Sequence, residues 1–260
     1  MSPPEVSGTQ SIHRALVLLR AIAARGRTGS RLLDLAKHSN LAGPTAHRIL
    51  KCLMAENIVT QDPETHRYLL GHLVFELGLA AAPQFNLRQI AGPALRRVAE
   101  KTGDTVFLIA RSGFDTVCLD RQEGAFPIKA LTLDVGTRRP LGVGAGGMAL
   151  LLALPDGEIE RIVAANATRL KDYGKLNVPI LTGMIGRSKQ FGYALNDRQE
   201  TPGVISIGLP ATNRYGPPYA AISVGAISSR MSAGRQKEIA AVLRTELRAL
   251  EKRLAEAASA

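Results

Sequence analysis

The sequence predicts an α+β protein in two parts, helical first and then built on an antiparallel sheet. Three observations carry this. Residues 11–57 hold three short stretches whose apolar side chains recur at helical spacing. Two brief strand-like runs with a turn between them follow at once. From residue 105 onward, strand-like segments are interleaved with amphipathic helices without any internal repeat, which suits an antiparallel sheet flanked by helices.

Residues 1–10 are polar, carry two prolines and are expected to form a disordered arm. Ser11 then caps a helix in which Ile12, Ala15, Leu16, Leu19, Ile22 and Ala23 keep one stripe and Arg14, Arg20 and Arg25 point away. Gly26–Gly29 ends it. A second helix over Ser30–His38 buries Leu32, Leu35 and Ala36, and Ser39-Asn40-Leu41-Ala42 turns tightly into a third. There Ala46, Ile49, Leu50 and Leu53 fall at i, i+3, i+4 and i+7, so one stripe faces a core. Gly43 is an acceptable cap, Pro44 suits the first helical position where its missing N–H is no loss, and Asn57 closes the end in a left-handed conformation.

The opposite stripe of this third helix carries Thr45, His47, Arg48 and Lys51, all hydrogen-bond donors and two of them cationic. Ile58–Gln61 and His66–Leu70 read as strands around the turn Asp62-Pro63-Glu64-Thr65. Three helices and a hairpin make a winged helix–turn–helix over residues 11–71, in which the third helix lies in the major groove of DNA. Arg48 is the first choice for a base contact, because a guanidinium bonds guanine O6 and N7 together. Thr45 and His47 suit a base edge or a phosphate, and Lys51 and Arg67 suit phosphate.

Gly71–Ala82 runs from the last residue of the winged helix–turn–helix into a linker spanning residues 72–89; it looks helical and is apolar on most sides. Alone it would be a liability, so a second subunit is expected to cover it, making the chain a dimer or tetramer. Pro83 stops this helix, and the domain boundary is placed near Gln84–Leu87. In the second domain, residues 90–260, Ile90–Lys101 is an amphipathic helix. Thr105–Arg111 and Thr116–Gln122 form a hairpin, and Ile128–Asp134 is a third strand. Helices cover Gly147–Leu154, Asp156–Asn166 and Thr182–Phe191; Gly203–Pro210 and Ala220–Ile227 are further strands with a turn at Asn213–Pro218; Ser232–Ala258 closes the chain as a long helix.

Composition narrows the function classes. The 260 residues are enough for one large or two ordinary domains, and the net charge of +11 favours a polyanionic partner. That charge is spread, with ten Lys/Arg against six Asp/Glu in residues 1–89 and 23 against 16 in the rest, so it locates no face by itself. Two distant cysteines, Cys52 and Cys118, argue against a disulfide scaffold and a zinc finger and suit a reducing cytoplasm. No apolar run reaches the roughly 18 residues of a membrane span, and residues 1–5 do not begin a signal peptide. A soluble, cytoplasmic protein is expected.

Taken together, these features resemble the IclR family of bacterial transcriptional regulators from Ser11 to Leu254. Asn40-Leu41-Ala42-Gly43-Pro44-Thr45-Ala46-His47-Arg48-Ile49-Leu50 is similar to the family's recognition segment, and Tyr68-Leu69-Leu70-Gly71 to the end of its wing. Gly136-Thr137-Arg138-Arg139-Pro140-Leu141 with Ala149-Leu150-Leu151, then Gly203–Pro210, then Ala220–Gly225, match three further motifs in order. Asn40 and Asn57 stand where the family has glycines, Gly142 for a His, Met148 for a Lys, Ser206 for a common Cys, and Asn196, beside Asp197, for an acidic residue. The resemblance implies a GAF-like effector-binding domain and a transcriptional regulator, with repressor and activator both open. It places the effector pocket at Leu141, Gly146 and Gly147 on one side and Asn196, Asp197, Ser206 and Ser223 on others.

Other chemistries find less support in the residues. Gly142-Val143-Gly144-Ala145-Gly146-Gly147 spells G-x-G-x-x-G, but Gly136-Thr137-Arg138-Arg139-Pro140 precedes it instead of a buried strand, and the region after it is helical. A glycine-rich turn entering a helix suits a carboxylate better, because it offers free N–H groups and a positive dipole end. All five histidines lie in the first 72 residues at no metal spacing, so no metal is expected; no cofactor is expected either. Neither a G-x-S-x-G nor an acidic pair in an apolar setting occurs, so no enzyme is expected. The reading is an operator-binding regulator controlled by a small anionic metabolite, an organic acid. Its rival is a small-molecule sensor or enzyme whose N-terminal helices serve protein–protein contact.

Overall fold

The computed structural model describes residues 9–81, 87–197, 200–213 and 216–258. It divides into two compact units, Met1–Phe85 and Asn86–Ala260. Most of the expected arm, the Pro83 stop, boundary positions 84–86 and turn positions 214–215 lie outside the described residues.

The first unit holds α1 (Gln10–Arg25), α2 (Leu32–His38), α3 (Gly43–Ala55), β1 (Val59–Gln61), β2 (Tyr68–Leu70) and α4 (His72–Ala81). Leu18 and Ile22 of α1, Leu35 of α2 and Ala46 and Leu50 of α3 meet in one core closed by Val59 and Tyr68. The α3 stripe is the expected one. On α1 the stripe is rotated: Leu18 and Ala21 are buried, while Ile12 and Leu16 are 60% and 46% exposed. That helix is apolar over a wide arc, so spacing alone leaves two candidate faces, and the fit to α3 selects one. Ser11 also lies inside α1, whose cap position is Thr9, and α3 starts at Gly43 after Ala42. Asn40 and Asn57 adopt φ of +52° and +56°, conformations Asn tolerates better than most side chains.

The hairpin pairs Val59 with Leu70 and Gln61 with Tyr68, and a bridge from Ser30 to Tyr68 ties it to the start of α2. At its tip the Asp62 carboxylate accepts the Thr65 N–H (2.7 Å), the Thr65 hydroxyl (2.8 Å) and the Glu64 N–H (3.1 Å). The Thr65 N–H, then its hydroxyl, hold the Asp62 pKa below its usual value. A Cβ on Gly71 would lie 2.1 Å from the Asn57 carbonyl oxygen, so the wing can close back onto the end of α3 only through glycine.

The second unit is a six-stranded antiparallel sheet in the order β5-β4-β3-β8-β7-β6. Its strands are β3 (Thr105–Ser112), β4 (Asp115–Gln122), β5 (Arg138–Pro140), β6 (Ala194–Asp197), β7 (Val204–Asn213) and β8 (Gly216–Ile227). On one face, α5 (Leu87–Thr102) and α9 (Ala233–Ala258) pack against Val106, Leu108, Ile207, Ile222 and Val224. Arg97 and Lys101 of α5 both reach the buried Glu246 of α9, at 2.7 and 2.8 Å. On the other face, α6 (Gly144–Leu152), α7 (Asp156–Leu170) and α8 (Val178–Phe191) cover Phe107, Ile109, Cys118 and Ala221.

One strand assignment needs correction, and two short strands escaped the sequence reading. Ile128–Asp134 is not a strand, although Ile-Lys-Ala-Leu-Thr-Leu alternates, because the edge of β4 there is already used. Cys118 donates to Thr137 O and accepts from Gly136 N, and Arg121 and Arg139 take the carbonyls of Leu133 and Thr132. The edge strand is the three-residue β5, and the four-residue β6 is too short to stand out in the sequence.

Candidate functional site

The outer face of α3 is open. His47, Arg48 and Lys51 are exposed and Thr45 is half-buried, because their stripe lies opposite Ala46, Leu50 and Leu53. Beside it runs a groove of about 520 Å³ lined by Arg31, Leu32, Leu33, His47, Gln61, Thr65, His66 and Tyr68. The fold thus brings His47 of α3 next to the wing tip and to the residue preceding α2. Thr65, His66 and Arg31 had no periodic signal to mark them. Arg67 is engaged within the unit, donating to the carbonyls of Thr28 (3.1 Å) and Gly29 (3.2 Å).

In the second unit a small cavity, about 30 Å³ of free interior, opens between the sheet and the start of α6. Strand alternation puts Phe107 and Ile109 of β3, Thr116 and Cys118 of β4, Ser206 of β7 and Ser223 of β8 on that face. Both serines face the cavity, and neither hydroxyl has a hydrogen-bond partner among the described residues. Gly146 and Gly147 supply the facing wall. A Cβ on Gly146 would lie 2.5 Å from Ile109 Cγ1, and one on Gly208 would lie 2.6 Å from the Ala145 carbonyl oxygen. These glycines let α6 sit directly on the sheet. The segment before α6 is edge strand β5, and Gly146 and Gly147 pack against strands.

Of the seven expected effector residues, Gly146, Gly147, Ser206 and Ser223 line the cavity. Leu141 is wholly buried in the helix-side core. Asn196 is 5% exposed, and its Nδ2 donates to Glu200 Oε2 at 2.8 Å. Asp197 binds Arg187 at 3.0–3.1 Å. Met148, where the resemblance has a Lys, is buried and accepts a bond from the Ser188 hydroxyl.

Two charged residues of the wall were missed, Arg139 and Glu200. Arg139 donates to Thr132 O at 2.5 Å, pairs with Glu200 Oε1 and lies 5.7 Å from the Tyr173 ring centre. Burial is the main influence on its guanidinium and pulls the pKa below its usual value. Cys118 is pushed up to about 11, by burial first and then by Asp120, so the cavity holds a neutral thiol. Among the described residues no group of His, Cys, Asp and Glu is arranged to hold a metal ion, and no helix is long and apolar enough to cross a membrane.

The chain matches the model for the bacterial transcriptional regulator IclR C-terminal over residues 79–252 and the model for the IclR helix-turn-helix domain over residues 11–63. It is 26% identical over 234 residues to the HTH-type transcriptional repressor AllR of Klebsiella pneumoniae, covering 90% of this chain and 85% of that protein. The AllR of Escherichia coli K12 is 27% identical over 236 residues, covering 90% and 86%. Among solved structures, a putative regulator from Silicibacter superposes with a TM-score of 0.79 at 22% identity, covering 94% and 95%. An IclR homologue from Microbacterium hydrocarbonoxydans, solved with 4-hydroxybenzoate, superposes with a TM-score of 0.70 at 20% identity, covering 95% and 99%.

Proposed function

The chain belongs to the IclR family of bacterial transcriptional regulators, and from that premise we propose that it is a cytoplasmic repressor released or engaged by a small carboxylic acid. DNA binding by the N-terminal unit and effector binding by the C-terminal unit come with the family; the direction of control, the class of effector and the residues are our reading. Repression is suggested by the AllR relatives and a carboxylate by the neighbour solved with 4-hydroxybenzoate.

For the operator, Arg48 reads a base edge, Thr45 and His47 touch a base or phosphate, and Lys51 binds phosphate, with Arg67 behind them. The exposure of Arg48 and Lys51 on one face of α3 supports this. For the effector, the observation that carries most weight is the pair of unpartnered hydroxyls, Ser206 and Ser223, facing the first turn of α6. That turn has no acidic residue and no side-chain cap, so its N–H groups are available to an anion. A dimer or tetramer completes the reading, since α4 buries none of its residues and leaves Phe75, Leu77 and Leu79 between 57% and 62% exposed.

The test is an anisotropy titration against DNA from upstream of the chain's own gene and the neighbouring divergent gene, at stated salt, with a panel of aliphatic and aromatic acids. One acid should change specific retention, and Ser223→Val should lose that response while keeping operator affinity within about twofold. Affinity for these segments no better than for random DNA, at every salt concentration and with every acid, would sink the reading.

A further inference from the structure

We propose that Glu200 is a specificity-determining residue of the effector cavity, a built-in carboxylate occupying the position that the carboxylate of an acidic effector must take. The proposal rests on reading this cavity as the effector site.

The Glu200 side chain is only 7% exposed, although the cavity wall it joins is, Arg139 apart, made of hydroxyls, glycines, a neutral thiol and apolar groups. One oxygen pairs with Arg139, the cation of that wall, and the other accepts from Asn196 Nδ2 at 2.8 Å. The second oxygen also reaches the start of α6, since a Cβ on Gly144 would lie 3.4 Å from it. No residue of α6 supplies its own first turn with an acid or a side-chain cap, and Glu200, 56 or more residues along the chain, brings the negative charge there. Beside this carboxylate the Ser223 side chain, 5% exposed, still points an unpartnered hydroxyl into the cavity.

The unit's other buried carboxylates serve a different purpose. Glu246 joins α5 to α9, Asp104 joins the start of β3 to Arg230 and Arg235, and Asp120 accepts from the Arg121 N–H and faces Arg88 of α5; none of the three lines this cavity. Glu200 instead neutralises Arg139, the one guanidinium among the described residues of this wall. With only about 30 Å³ free, a second carboxylate has no separate room, and among the described residues of the wall it has no separate cation. It would sit a few ångströms from a like charge in a weakly screened interior, which disfavours binding strongly. An acid therefore binds by replacing Glu200 at Arg139, and acids too weakly held to do so are rejected.

The test compares wild type, Glu200→Gln and Glu200→Ala by calorimetry at fixed pH and salt. The probes are acetate and 4-hydroxybenzoate, with acetamide and 4-hydroxybenzamide as neutral controls. Both variants should bind at least one acid about tenfold or more tightly than wild type, since a charge-assisted pair no longer has to be replaced. The amides should gain little, and adding Arg139→Gln to Glu200→Gln should remove the gain. Unligated melting temperatures confirm that each variant folds, and the alanine variant keeps the test open should the glutamine variant not fold. Equal acid affinity in wild type and both variants overturns the inference but leaves the acid-effector reading standing. An equal gain for amides, or a gain that survives loss of Arg139, also overturns it. Silence towards every acid in all three proteins overturns both.

Discussion

At the scale of single residues, the two sites differ in how far the sequence exposes them. Thr45, His47, Arg48 and Lys51 sit on one helical stripe, so the spacing that buries Ala46 and Leu50 also reveals the face opposite. Removing Arg48 should relax discrimination at one base pair and weaken the preferred operator by roughly 1–3 kcal/mol. A panel of single-base operator variants checks this; an Arg48→Ala protein that binds the panel in unchanged rank and strength would exclude the contact. Arg139 and Glu200 were not legible, because they lie 61 residues apart in a three-residue strand and a loop, where no periodicity operates. Cys118 yields a pH prediction. Burial and Asp120 raise its thiol from 9.0 to about 11, so the protonated thiol stabilises the fold below the unfolded value and that contribution disappears as pH rises through the folded value. Between pH 9 and 11 wild type should lose about 2–3 kcal/mol more than Cys118→Ala, read from urea midpoints across that range. Parallel curves for the two proteins would show that the thiol titrates normally.

At the scale of elements, long periodic helices and long strands were legible within a few residues, and short edge elements were not. α9 carries Ile239, Leu243, Leu247 and Leu250 on one side over seven turns, whereas β5 and β6 together hold seven residues. Residues 128–134 mislead because alternation is a property of side chains, while strand formation needs a free backbone edge, and Gly136, Thr137 and β5 already hold that of β4. The glycine run before α6 was legible as a turn entering a helix; the tight seat of that helix on the sheet was not, because it depends on Gly208 of β7, more than 60 residues away. Gly208→Ala would push a methyl group against the backbone of Ala145, which no side-chain rotation relieves. It should cost about 1–3 kcal/mol of stability and, by lifting the start of α6, abolish the effector response. Gly157→Ala, in α7 and with open space at its Cβ, is the matched control. A Gly208→Ala protein as stable and as responsive as that control would mean that α6 is free to shift.

At the scale of the whole molecule, the regulator works only if effector and operator occupancy bias the same equilibrium, and that bias cannot exceed the effector's differential affinity for the two states. The coupling is reciprocal. Whatever factor the effector applies to operator affinity, saturating operator must apply to effector affinity. In our reading α4 passes this coupling on while joined to a second subunit, because a helix with Phe75, Leu77 and Leu79 all more than half exposed cannot be at its free-energy minimum in water. Phe75→Glu together with Leu79→Glu should therefore shift sedimentation towards the monomer. It should weaken a two-half-site operator far more than a single half-site, since the second site no longer binds at high effective concentration. The isolated fold should be spared, because neither side chain belongs to the three-helix core. In the same variant both reciprocal factors should fall to one together. If the charged variant stays oligomeric and keeps both factors, the subunit contact and the path of coupling lie elsewhere, and α4 is only a tether.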